Sequence, residues 1–193
     1  MSTEALLIMD VQNGIVSRLG GRADTLLATL ADAIGSARAA GVPVVYVRVA
    51  FRPGGPEMSP KNRIFAALAG SDAMDESGPA TQIHPAVAPD PGEVLVTKRR
   101  VSAFSGSDLD VVLRAIGVDS LVLAGIATSG VVLSTLRQAA DLDFGLTVLE
   151  DGCADADPEV HRVLMEKVFP RQASVRTAAE WIDGRPGEGG GRA

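Results

Sequence analysis

Cysteine is almost missing from this chain of 193 residues: there is one, Cys153. No disulfide can form within the chain, so stability has to come from an ordinary buried core, which a domain of this length can build. Histidine is nearly as scarce. His84 and His161 lie far apart with no ligand spacing around them, so no metal centre and no cofactor is expected. No apolar run approaches the roughly 18 residues of a membrane span, and the first residues carry neither a basic n-region nor a cleavage site. The expectation is a cytoplasmic protein with no membrane partner. Long basic runs are also absent, the longest being Lys98-Arg99-Arg100, and the net charge is −6. Phosphate backbones would meet no broad positive surface here, which argues against DNA or RNA as a partner.

What is present is a regular alternation of short β-rich apolar runs with stretches of helical period. That is the signature of βαβ units forming a mainly parallel sheet covered on both faces. Strands are predicted at Ala5 to Asp10, Pro43 to Val49, Glu93 to Lys98, Ser120 to Ala124 and Leu146 to Glu150, with a short one at Ala173 to Arg176. Their near-continuous apolar character fits strands buried on both sides. Leu26, Leu30, Ile34 and Ala37 set a helix that ends at Gly41. Further helices are predicted from near Ser107 to Gly117, from Thr128 to Asp141, and from Asp157, whose neighbour Pro158 suits a first helical position. Thr177 with Glu180 makes a capping box for a last helix containing Trp181. Phe51 to Pro91 is irregular, with a short helix expected from Lys61 to Ala69, and is expected to roof a pocket. One domain is expected over 1–183, followed by a Gly-rich tail at 184–193.

Open α/β sheets bind ligands beyond the carboxyl ends of their strands. That rule selects Asp10 and Gln12 after the first strand, and Arg48, Phe51 and Arg52 after the second. It adds Lys98, then Gly125 to Val131, then Asp151 to Cys153. Asp10 ends an apolar strand, where its charge needs a nearby cation, and Lys98 is the candidate. An anionic substrate would also call for an arginine, with Arg48, Arg52 and Arg100 available.

Three ordered segments then stand out: Leu6-Leu7-Ile8-Met9-Asp10-Val11-Gln12-Asn13, Lys98-Arg99-Arg100-Val101-Ser102-Ala103-Phe104, and Gly125-Ile126-Ala127-Thr128-Ser129-Gly130-Val131-Val132. Together they resemble the signature segments of the isochorismatase-like cysteine hydrolases, over about residues 4 to 176. The resemblance implies a three-layer α/β/α Rossmann-like fold with a six-stranded parallel sheet in order 3-2-1-4-5-6. It also implies an Asp, Lys and Cys triad at the strand ends. Asp10 and Lys98 match two members, but the cysteine position falls on Val131 and the motif's aspartate is replaced by Ser129. The resemblance further implies a cis peptide joining Ile126 to Ala127, with the N–H groups of Ala127 and Val131 forming an oxyanion hole. Gln12, Arg48, Phe51, Phe104, Thr128 and Ser129 are the expected substrate contacts. The Asp-x-His metal ligands of nicotinamidase-type relatives have no counterpart in residues 49–54.

Cys153 is read as a packed structural residue, and Ser129 lacks a nucleophile elbow. Two functions stand at this point. One is a hydrolase acting on a small anionic molecule without a thiol, with Asp10 as general acid or base beside Lys98. The other is a small-molecule-binding or regulatory protein on an inactive scaffold. By likeness to the family, a homodimer or homotetramer is expected.

Overall fold

The computed structural model describes residues 3–68 and 72–184. Six strands form one parallel sheet: β1 (Glu4–Met9), β2 (Val44–Val49), β3 (Val94–Lys98), β4 (Ser120–Ile126), β5 (Gly145–Ala154) and β6 (Ser174–Arg176). Their order is β3-β2-β1-β4-β5-β6. β1 lies at the centre, pairing β2 on one side and β4 on the other. The order reverses there, so the carboxyl end of β1 opens at a topological switch point.

The alternation of side chains along each strand divides the core in two. Ala5, Leu7 and Met9 pack on one face with α4 (Leu109–Ala115) and α5 (Leu133–Asp141). Leu6 and Ile8 pack on the other with α2 (Ala23–Ala39) and α7 (Ala178–Asp183). Residues 5 to 9 are wholly buried, and each large aliphatic side chain there contributes about 1.5–3 kcal/mol on leaving water. The caps form as their residues dictate. Asp157 accepts from the Glu159 N–H ahead of α6 (Pro158–Val163), and Thr177 and Glu180 close a reciprocal capping box.

Several boundaries differ from the sequence expectation. β1 stops one residue early, because Asp10 turns to φ 57, a left-handed conformation that lifts its side chain out of the strand alternation. β4 runs on to Ile126 through Gly125 at φ 144, where an added Cβ would come within 2.0 Å of the Met9 carbonyl oxygen, so only glycine fits. β5 continues to Ala154 through a register shift against β4, past polar residues that read as a strand end. The helix expected over 61–69 is one turn, α3 (Arg63–Ala66), capped by Asn62. The helix from Ser107 starts at Leu109 instead. The run from Thr128 opens with a wide turn to Val132 before α5 begins. Several short pieces had no signal long enough to read, among them α1 (Asn13–Val16) and a tight 3-10 segment, Ser17–Arg22. The tail expected at 184–193 lies outside the described residues beyond Gly184.

Candidate active site

β1 and β3 bring Asp10 and Lys98 together although 88 positions separate them in sequence. Lys98 Nζ donates to Asp10 Oδ2 at 2.9 Å, with side-chain exposures of only 2% and 7%. The same ammonium donates to the Arg100 carbonyl at 3.0 Å. Asp10 Oδ1 is buried and has no hydrogen-bond partner. Burial pushes the Asp10 carboxyl above its usual range, and the charge and hydrogen bond of Lys98 oppose that rise. A buried carboxylate with one oxygen bonded and one left open is unusual, because an unmade bond at such a group is costly.

Both side chains line a cavity of about 390 Å³ at the carboxyl end of the sheet. Ile126, Ala127, Gly130 and Val131 line it from the β4 exit, and the peptide between Ile126 and Ala127 is cis. Phe65, Leu68 and Met74 come from the irregular segment after β2, and Ile15, Arg18 and Leu19 from the turns after β1. Asp10, Lys98, Ile126, Ala127 and Val131 therefore meet at one cavity, as the sequence grouped them. Among the described residues its wall carries no thiol, hydroxyl, phenol or imidazole; the charged side chains are Asp10, Lys98 and Arg18.

Six residues expected at the substrate do not line this cavity, each for a definite reason. Gln12 spends its amide on the backbone, donating to the Val49 and Thr81 carbonyls and accepting from the Val49 N–H, so it clamps the ends of β1 and β2. Arg48 is held by Thr97, the Glu76 carbonyl and Gln82. Phe51 is buried edge-to-face on Phe65, with ring centroids 5.0 Å apart, and it is Phe65 that reaches the cavity. Phe104 packs in the α4/α5 core beside Phe144. Thr128 is buried with Oγ1 2.8 Å from His161 Nδ1. Ser129 is exposed, and its N–H donates to Asp155 Oδ2 at 2.7 Å.

Arg18, His161 and Asp155 were not selected from the sequence. Arg18 sits in the unreadable 3-10 segment, and His161 and Asp155 meet the β4 exit only through the fold. Burial pushes His161 below the usual imidazole range, with Asp155 and Glu150 pulling the other way. Burial would raise Asp155, but hydrogen bonds from Ser129 hold it below the usual carboxylate range. Cys153 lies in the core, its Sγ 3.9 Å from the Leu123 carbonyl, and burial pushes its thiol up to about 12. Among the described residues no three His, Cys, Asp or Glu side chains gather to hold a metal ion, and no helix is long and apolar enough to cross a membrane.

The fold and the site define a class: an open parallel α/β protein carrying a buried carboxylate and ammonium pair at its switch-point cavity. Residues 4–180 match the Isochorismatase domain family. An uncharacterized isochorismatase family protein of Escherichia coli O157:H7 is 34% identical over 190 residues, covering 94% of this chain and 95% of the relative. Ureidoacrylate amidohydrolase RutB of Stutzerimonas stutzeri is 35% identical over 207 residues, covering 94% of this chain and 79% of the relative. N-carbamoylsarcosine amidase from Thermoplasma acidophilum superposes with a TM-score of 0.75 at 28% identity, covering 92% of this chain and 97% of that one. An isochorismatase family protein from Burkholderia thailandensis gives 0.80 at 30% identity, covering 92% and 93%. The chain belongs to the isochorismatase family and is a hydrolase of that family.

Proposed function

We propose that this hydrolase acts on a small anionic molecule without a cysteine nucleophile, with Asp10 moving the proton and Lys98 supplying positive charge beside it. The observation that carries this reading is the open Oδ1 of Asp10 in a cavity whose described wall holds no thiol or hydroxyl. With its carboxyl raised by burial, Asp10 is suited to hold a proton and give it up.

A labile enol ether matches that equipment. Asp10 gives its proton to the vinyl carbon, water adds to the oxocarbenium carbon that forms, and the proton released by that water returns to Asp10. The resulting hemiketal then collapses to a carbonyl and an alcohol. Positioned general acid and base help of this kind is worth roughly 10² to 10⁴ in rate. The N–H groups of Ala127 and Val131, in the turn leading into α5, are assigned by this reading to the hemiketal oxygen, which gains negative charge as it loses its proton and the hemiketal collapses. Two of the relatives are named for amide hydrolysis, a reaction that is harder without a covalent nucleophile. The same lack of a nucleophile favours a second reading, a binding protein on this scaffold.

Turnover separates the two. In a panel of small anionic enol ethers and carbamoyl amides, the enol ethers should yield product with wild type and, at nearly the same rate, with Cys153→Ala, and the amides should be turned over far more slowly. Folded Cys153→Ala protein without turnover would show that the wrong nucleophile was rejected. Binding without turnover by wild type would favour the second reading.

A further inference from the structure

The cavity wall carries two cations, Lys98 and Arg18, against one carboxylate, Asp10. Lys98 Nζ is taken up by Asp10 at 2.9 Å and by the Arg100 carbonyl at 3.0 Å, so Arg18 is the cation of the wall left without a partner. Of the other arginines at this end of the sheet, Arg63 on α3 is exposed and does not line the cavity, and five are engaged. Arg48 is held by Thr97 and Gln82, Arg52 by Glu57, and Arg99 by Glu76. Arg100 is spent on the Glu57 carbonyl, and Arg22 donates to the Asp155 carbonyl. The Arg18 side chain makes no ion pair or hydrogen bond among the described residues, and it is exposed, whereas Asp10 and Lys98 are buried. It therefore stands at the mouth, with Ile15, Leu19, Ile64, Phe65 and Met74 forming an apolar wall beside it. Ile64 is 61% exposed, a large apolar side chain left at the surface where the cavity opens.

We infer that Arg18 is the specificity-determining residue of this site, and that the substrate class is a small monoanion with an apolar body. Its carboxylate meets the Arg18 guanidinium at the mouth, its body lies on the apolar wall, and its reacting end reaches Asp10 and Lys98. This rests on the hydrolase reading above for the reacting end only. The chain carries a net charge of −6, so an anion is repelled in general and needs a local, unspent cation to be held. A guanidinium offers a carboxylate two parallel donors, and the apolar wall limits screening by water.

The test needs no knowledge of the substrate. Benzoate and benzamide share shape and apolar body and differ in charge, so their binding to wild type, Arg18→Gln and Arg18→Lys can be compared by calorimetry. Because Arg18 is exposed, both variants should fold as wild type does. Wild type should prefer benzoate, and Arg18→Gln should weaken benzoate by about ten- to thirtyfold, in line with a partly exposed charge-assisted pair. Arg18→Lys should recover part of that loss, and benzamide should bind all three proteins alike. Equal benzoate affinity in wild type and Arg18→Gln would overturn the inference, as it would if the anion were held by Lys98. Absence of any benzoate binding by wild type would overturn it too. Turnover on the enol ether panel is read separately: lost anion preference with turnover intact strikes Arg18 alone, and anion preference without turnover strikes the hydrolase reading alone.

Discussion

Two buried polar clusters stand at the same edge of the sheet, and they differ in whether their hydrogen bonds close. At the β4 exit, Asp155 Oδ2 accepts from Ser129 N–H at 2.7 Å and its Oδ1 from Asp157 N–H at 3.4 Å, while Thr128 meets His161 at 2.8 Å. At the β1 exit, Asp10 gives one oxygen to Lys98 and keeps the other without a partner. A closed network fixes backbone, here the turn that follows the cis peptide at Ile126 and Ala127. An open one leaves capacity for a ligand or a proton. Gln12, two residues from Asp10, makes the contrast sharper: it is just as buried, yet every polar atom of its side chain is spent on backbone.

If that contrast is right, removing Lys98 should do the most damage. Lys98→Met leaves Asp10 buried without its cation, a change worth about 3–5 kcal/mol, and it should also abolish turnover. Losing the cation raises the Asp10 carboxyl still further. The folded variant then holds its proton more tightly than the unfolded chain, so the deficit is smallest at low pH and grows as pH rises through the folded value. Urea midpoints for wild type and variant at pH 5 and pH 8 check this; an equal deficit at both would mean that Asp10 is not buried in charged form.

His161→Ala probes the closed cluster and should cost about 1–3 kcal/mol by leaving the Thr128 hydroxyl unpaired. Since the folded imidazole is held below its usual range, the stability due to its titration is fully present above about pH 6.5 and is lost as pH falls through the lower folded value. The variant should lack that acid limb in chemical denaturation. Turnover should change far less than with Lys98→Met, since His161 acts on the turn and not on the substrate. Comparable loss of activity would break the distinction between the two clusters.

Val131→Cys is the mildest change, similar in volume and expected to cost under about 1.5 kcal/mol. It puts a thiol in the cavity that Asp10 and Lys98 share, where a neighbouring cation and a proton acceptor favour the thiolate. It should react with iodoacetamide well ahead of Cys153, whose thiol burial pushes up to about 12. An ordinary thiol pKa near 8.5 would show that the pair is not poised around this position.

The sheet was legible because buried parallel strands are written as plain apolar runs, and because capping residues such as Asp157, Thr177 and Glu180 act locally. Asp10, Lys98 and Val131 were legible as strand-end residues within ordered motifs. Arg18 was not, since its segment has no helical period and its place at a cavity depends on Ile64, Phe65, Leu68, Ala73, Met74 and Ala80, which are distant in sequence. Phe104 and Arg48 stand near strand ends in sequence, but which way they face is decided by packing and by competing polar partners, neither of which sequence position reveals. The Thr128 and His161 contact joins residues 33 apart and had no local signal at all.

If Asp10 carries the chemistry, Asp10→Asn should lose it, because the amide keeps the shape of the side chain while removing the titrating proton. The measurement is kcat/KM on the best enol ether of the panel, alongside calorimetric affinity for benzoate as a check that the cavity is intact. The expected result is a loss of at least about 10² in kcat/KM with benzoate binding retained. Turnover by Asp10→Asn within a few-fold of wild type would contradict it.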